Sequence, residues 1–106
     1  MAFAFYFDVP ASEGLYAEIR AEFPSEPPPG LVLHLVTPCG SGLRYIDVWE
    51  TKEAWELARD TVLEPAAERV LQRYGLPHDE SLTRFEELAV VDLWGSLPTG
   101  TSSTAA

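Results

Sequence analysis

Residues 42–65, GLRYIDVWETKEAWELARDTVLEP, run an alternating segment directly into an amphipathic one, with no spare residues between them. In the first part Tyr45, Asp47 and Trp49 fall on one side and Ile46 and Val48 on the other, the period of two that an extended chain imposes. Thr51 then has the side chain of a helix N-cap, able to accept from a first-turn amide. Behind it Ala54, Trp55, Ala58, Val62 and Leu63 recur at helical spacing. A strand that feeds straight into a helix is the junction from which the other elements can be ordered.

Upstream, Phe3, Phe5, Phe7 and Val9 alternate with Ala4, Tyr6 and Asp8 until Pro10 stops the run, which predicts a first strand. Ser12 can cap a helix whose Leu15, Ile19 and Phe23 share a face, before Pro24 and the Pro27–Gly30 segment end it. Residues 31–36 predict a second strand, turned by PCGSG into the third as a hairpin. Downstream, Pro65 predicts a kink, yet Ala66, Ala67, Val70, Leu71 and Tyr74 continue the apolar stripe until Gly75. A short helical turn at residues 81–85 and a fourth strand at residues 88–94 complete the reading, and SLPTGTSSTAA from Ser96 has the composition of a tail. The order βαββαβ predicts one α+β domain over residues 1–95, ferredoxin-like, with a four-stranded antiparallel sheet and both helices on one face.

If every strand keeps its register, Phe3, Phe5, Phe7, Leu31, Leu33, Leu35, Ile46 and Val48 form an apolar face that belongs under the helices. The opposite face then mixes Tyr6, Asp8, His34, Tyr45, Asp47, Trp49, Asp92 and Trp94, too aromatic for water and too polar for a dry core. A second subunit laid on that face would cover it and enclose a cavity, so a homodimer is expected.

Composition narrows the function. With 17 acidic against 7 basic residues the formal charge is -10, which repels a phosphate backbone or an anionic membrane, so neither is an expected partner. The single Cys39 has no partner for a disulfide or a CxxC metal motif and suits a reducing compartment. The first residues, MAFAFYFDVP, have neither a basic leader nor a long apolar run, and a soluble cytoplasmic protein is expected. HExxH, GxGxxG, P-loop and GxSxG motifs are all absent. No metal site is expected.

The segment VWETKEAW, in the context of the βαββαβ order, resembles the antibiotic biosynthesis monooxygenase-like family of dimeric α/β barrels. The resemblance spans roughly residues 3–94. It implies pairing as a dimeric α/β barrel. Members of that family include enzymes that oxidise phenolic polyketides with molecular oxygen and no cofactor, and others that degrade haem, while many relatives have no assigned reaction. Trp49 matches the tryptophan that ends the third strand of the haem degraders. Arg59 stands where their ligating histidine falls, and Tyr6 and Asp8 stand near their strand-one asparagine. Haem ligation is therefore not expected, and no cofactor is.

Among the residues themselves, His34 in LVLHLV is the best candidate base, since an ordinary imidazole titrates near pH 6.5 and suits proton abstraction at neutral pH. The bland alternative is a structural histidine paired across the hairpin with Tyr45 or Asp47. Asp47 or Asp92 would orient His34 or accept from a phenol, unless either is spent in a salt bridge or lies on an exposed edge. Trp49, Trp55 and Trp94, with Tyr45, would form a slot for a flat ring, or else are packing residues of the core and interface. Arg59 or Tyr6 would stabilise a developing negative oxygen, whereas Arg44 and Arg59 are also placed to pair with acids. His78, in LPHDE, reads as solvated. The leading expectation is a cofactor-independent monooxygenase acting on an aromatic small molecule. A non-catalytic ligand-binding or accessory barrel, and a cyclase or isomerase, are the alternatives.

Overall fold

The computed structural model describes residues 2–77 and 83–95. Its elements are β1 (Phe3–Val9), α1 (Glu13–Ala21), β2 (Leu31–Cys39), β3 (Gly42–Trp49), α2 (Lys52–Ala58), a π-helical turn (Arg59–Leu63), α3 (Glu64–Arg73) and β4 (Arg84–Leu88). The strands form one antiparallel sheet in the order β2-β3-β1-β4, the α+β ferredoxin-like arrangement expected from the element order. Both caps act as their residue types predict. Ser12 Oγ accepts from the Leu15 amide at 3.1 Å and Thr51 Oγ1 from that of Ala54 at 3.0 Å.

The β2–β3 hairpin turns on Gly40, whose φ of 59° is the left-handed conformation a two-residue loop requires at that place. β2 runs to Cys39, three residues past the expected end, and tolerates Pro38 because it lies at the sheet edge. The expected kink near Pro65 takes the form of the π turn. Proline has no N–H for the Thr61 carbonyl, and its ring would collide with that carbonyl in an α-helix. The chain widens instead, so that the Glu64 amide donates to the Arg59 carbonyl five residues back and α3 continues.

The faces of the sheet differ from the expected ones. Phe3, Phe5 and Phe7 stand opposite Trp49, Asp47 and Tyr45, and residues opposed in a ladder share a face. The phenylalanines and the polar-aromatic set of β3 therefore lie together under the helices, and Ile46 and Val48 are on the outer face with Tyr6. A bulge in β2 adds a second change: Leu31 opposes Trp49 but Leu33 opposes Val48, which leaves Val32 as the extra residue. Leu31 consequently packs on the core, whereas Leu33 and Leu35 turn outward, 37% and 47% exposed, and His34 comes opposite Asp47. A core cluster is formed by Phe3, Phe5, Trp49 and Ala58, with Phe7, Leu31, Ala54, Trp55 and Leu63 against it.

β4 is a further correction, because Arg84–Leu88 pairs with β1 in place of residues 88–94. With Leu88 opposite Ala4, residue 89 already reaches the start of β1 at Phe3, and the apolar run beyond it has no strand to join. Phe85 anchors the pairing, its ring 5.0 Å from Phe5 and 5.7 Å from Trp55. Of the helical turn expected at residues 81–85, Arg84 and Phe85 are strand. The other expected turn residues, His78 and the tail from residue 96 lie partly or wholly outside the described residues. Across the helix layer, α1 and α3 are tied by Glu22 to Arg69 and Arg73, and by Glu18 to Arg73 and Tyr74.

Candidate active site

A cavity of about 660 Å³ opens between the helix layer and the sheet, within the size range of small-molecule sites. Its wall is mostly apolar and aromatic, with Phe7, Tyr16, Tyr45, Trp55, Leu71 and Phe85. His34, Asp47, Arg59 and Glu64 supply polar groups. Phe7, Tyr45 and Phe85 reach it because β1, β3 and β4 turn the same parity of residue toward the helices, while Tyr16 comes from α1 and Trp55 from α2.

Strand pairing sets His34 against Asp47, and the side chains meet with Nδ1 2.7 Å from Oδ1. Asp47 is 3% exposed, and its second oxygen accepts from the Trp49 indole Nε1 at 3.1 Å. A carboxylate has only acceptors, so the neutral His34 ring carries its proton on Nδ1 and presents a lone pair at Nε2. The Tyr16 hydroxyl on α1 donates to that lone pair at 2.8 Å. Tyr45 sets its ring nearly edge-on to both, 5.3 Å from Tyr16 and 5.8 Å from His34. Burial pushes the phenols of Tyr16 and Tyr45 above the usual tyrosine range. Neighbouring Tyr16 and Asp47 push Tyr45 further, while Arg20 partly opposes the shift of Tyr16. Both phenols are protonated at neutral pH.

On the helix side of the cavity the Arg59 guanidinium lies 4.8 Å from the centre of the Trp55 ring. Its Nε donates to Asp60 at 2.8 Å, and that carboxylate holds Arg59 firmly protonated. The salt bridge expected as the bland reading is thus present, but Arg59 also lines the cavity. Arg44 pairs through two nitrogens with Asp8, away from it.

His34, Asp47, Tyr45, Trp55 and Arg59 are therefore brought to one cavity. Four other candidates are not. Tyr6 is on the outer face, beneath the Arg44 guanidinium at 4.2 Å, because β1 turns even residues away from the helices. Trp49 is 1% exposed in the core and does not line the cavity, though its indole N–H donates to Asp47, which does. Asp92 and Trp94 follow β4 on an unpaired, exposed segment, with Trp94 94% exposed, so neither shares a sheet face with His34. Tyr16 is the residue the sequence reading missed. It stands three residues before Ile19 and seven before Phe23, on the same helical stripe, and an aromatic with a polar tip there was the available signal. Among the described residues no group of three His, Cys, Asp or Glu is placed to hold a metal, and no helix is long and apolar enough to cross a membrane.

No protein-family profile and no curated protein matches the sequence. Solved structures do resemble it. A protein from Chloroflexus aurantiacus provisionally named an antibiotic biosynthesis monooxygenase superposes with a TM-score of 0.60 at 17% identity, over 91% of this chain and 99% of that one. The chain has the fold of the antibiotic biosynthesis monooxygenase-like proteins. A variant of SnoaB, a cofactor-independent oxygenase from Streptomyces nogalater, superposes with a TM-score of 0.52 at 19% identity, over 87% of this chain and 93% of that one. In this chain the cavity lies between the sheet and its own helices.

Proposed function

We propose that the chain is a cofactor-independent monooxygenase that oxidises a phenolic aromatic small molecule with dioxygen. The observation that carries this reading is His34, backed by Asp47 and facing an aromatic cavity. In that reading the phenol proton goes to His34, and the imidazolium is stabilised by the Asp47 carboxylate. The electron-rich phenolate passes one electron to dioxygen, and the radical pair joins at a ring carbon that bears hydrogen. The peroxide takes back the proton from His34 and loses water to leave a carbonyl, so one oxygen atom enters the product and one leaves as water. Tyr45 and Trp55 position the ring, and Arg59 stabilises negative charge on oxygen. The name of SnoaB supports the reaction class, and the aromatic lining of the cavity supports the substrate class.

Thermal unfolding with 1-naphthol, 1,8-dihydroxyanthraquinone and haem tests the pocket. A ligand at 100 times its dissociation constant adds about 2.7 kcal/mol to stability. A shift with the phenol or quinone, followed by oxygen uptake with the phenol, is expected. A shift with haem alone would overturn the assignment. Turnover that persists without oxygen would favour a cyclase or isomerase in the same cavity.

A homodimer is part of the proposal. Leu33, Leu35 and Leu88 are 37%, 47% and 40% exposed, and Val91 and Trp94 beyond β4 are 97% and 94% exposed. A second copy laid on the outer face would cover these apolar groups in a symmetric contact. Sedimentation equilibrium is expected to give twice the chain mass for the wild type and a monomer for Leu35→Glu. A monomeric wild type would remove the dimer from the proposal.

A further inference from the structure

We infer that Tyr16 is the group that touches the phenol: its oxygen receives the substrate proton while its own proton passes to His34 Nε2. The inference rests on the base assignment above and specifies its geometry. An imidazole has two nitrogens, and both are engaged, Nδ1 with Asp47 at 2.7 Å and Nε2 with the Tyr16 hydroxyl at 2.8 Å. A ligand that reached Nε2 directly would have to displace Tyr16. A ligand that reaches Tyr16 displaces nothing, because a hydroxyl donates one hydrogen bond and still offers acceptor lone pairs. Tyr16 lines the cavity, with Tyr45 edge-on beside it.

The proton ledger balances within these groups. The substrate O–H bond breaks as a new Tyr16 O–H forms, and the old Tyr16 O–H breaks as His34 Nε2–H forms. The products are a phenolate, a neutral tyrosine and an imidazolium held by Asp47. No free tyrosinate stands at any stage, which suits a phenol whose burial disfavours its anion. Trp49 enters as a positioning residue: its indole N–H occupies the second Asp47 oxygen and keeps the first aimed at Nδ1. Asp47, Tyr45 and Arg20 are the other ionisable groups that act on Tyr16.

The test uses 4-nitro-1-naphthol, whose anion absorbs visibly, and its methyl ether, which cannot ionise. Bound to the wild type, the naphthol is expected to ionise about tenfold more readily than in water, the scale of one hydrogen bond to a charged group. Tyr16→Phe and His34→Ala should each return it to within about twofold of the free value, while Tyr16→Phe leaves affinity for the ether within about twofold. If Tyr16→Phe keeps the gain and only His34→Ala removes it, the phenol contacts His34 directly, so the relay is overturned and the base assignment stands. If His34→Ala keeps the gain, or the wild type neither binds nor ionises the naphthol, both are overturned. Loss of ether binding in Tyr16→Phe would reduce Tyr16 to a wall of the pocket and likewise overturn the relay.

Discussion

His34→Ala is expected to lower turnover of a phenolic substrate by about 10²–10⁴-fold, the range associated with a positioned general base. The side chain reaches the cavity from β2 and is joined on one side to the buried Asp47 carboxylate and on the other to the Tyr16 hydroxyl. Removing it takes away the proton acceptor and leaves Asp47 with the Trp49 indole N–H as its remaining side-chain partner. The aromatic wall survives, so substrate affinity should change much less than kcat. Initial-rate oxygen uptake on the folded variant checks this. A kcat within about threefold of wild type would take His34 out of the chemistry, because even the weakest general-base contribution exceeds that.

Trp49→Ala is expected to cost about 3–5 kcal/mol of folding stability, the usual range for truncating a large buried aromatic. Trp49 is 1% exposed and belongs to the central cluster with Phe3, Phe5 and Ala58, so the loss opens a cavity where sheet and α2 meet. It also removes the indole N–H from Asp47, whose second oxygen then lacks a partner in a site that is 3% exposed. A domain of this size commonly has about 5–15 kcal/mol in total, so the loss is a large share of the stability. Trp49→Phe separates the two effects. It keeps most of the apolar volume and loses the hydrogen bond, at a cost of about 1–3 kcal/mol. Urea unfolding followed by circular dichroism measures both. A loss below about 1 kcal/mol for Trp49→Ala would mean that the core does not depend on this side chain.

The neighbouring roles of Trp49 and Asp47 also show how far the sequence could be read. Their shared parity in DVW was visible, and so was the alternation that sets both against Ile46 and Val48. That Phe5 would oppose Asp47 was not visible, and this pairing moves the polar-aromatic face from the outside of the sheet to beneath the helices. The cavity described above lies on that face, between the sheet and the helices. His34, Tyr45, Trp55 and Arg59 remained together, because each points to the helix side or rises from α2 and the π turn. Tyr6 was separated from them by its own parity in β1.

Local rules acting over one to four residues were sufficient for the caps at Ser12 and Thr51, the glycine turn, the interruption before Pro65 and the order of strands and helices. They also singled out His34 and Asp47, since an imidazole and a carboxylate in apolar alternation stand out by chemistry alone. Tertiary structure decided what depends on distant partners. The bulge at Val32 reverses the parity of β2 and brings His34 opposite Asp47. The reach of β1 ends β4 at Leu88 and leaves Trp94 outside. The packing of α1 on the sheet delivers the Tyr16 hydroxyl to Nε2. Within one strand, alternation follows from backbone geometry at every residue. Between strands, register follows from which buried surfaces fit, and a slip of one residue exchanges the two faces.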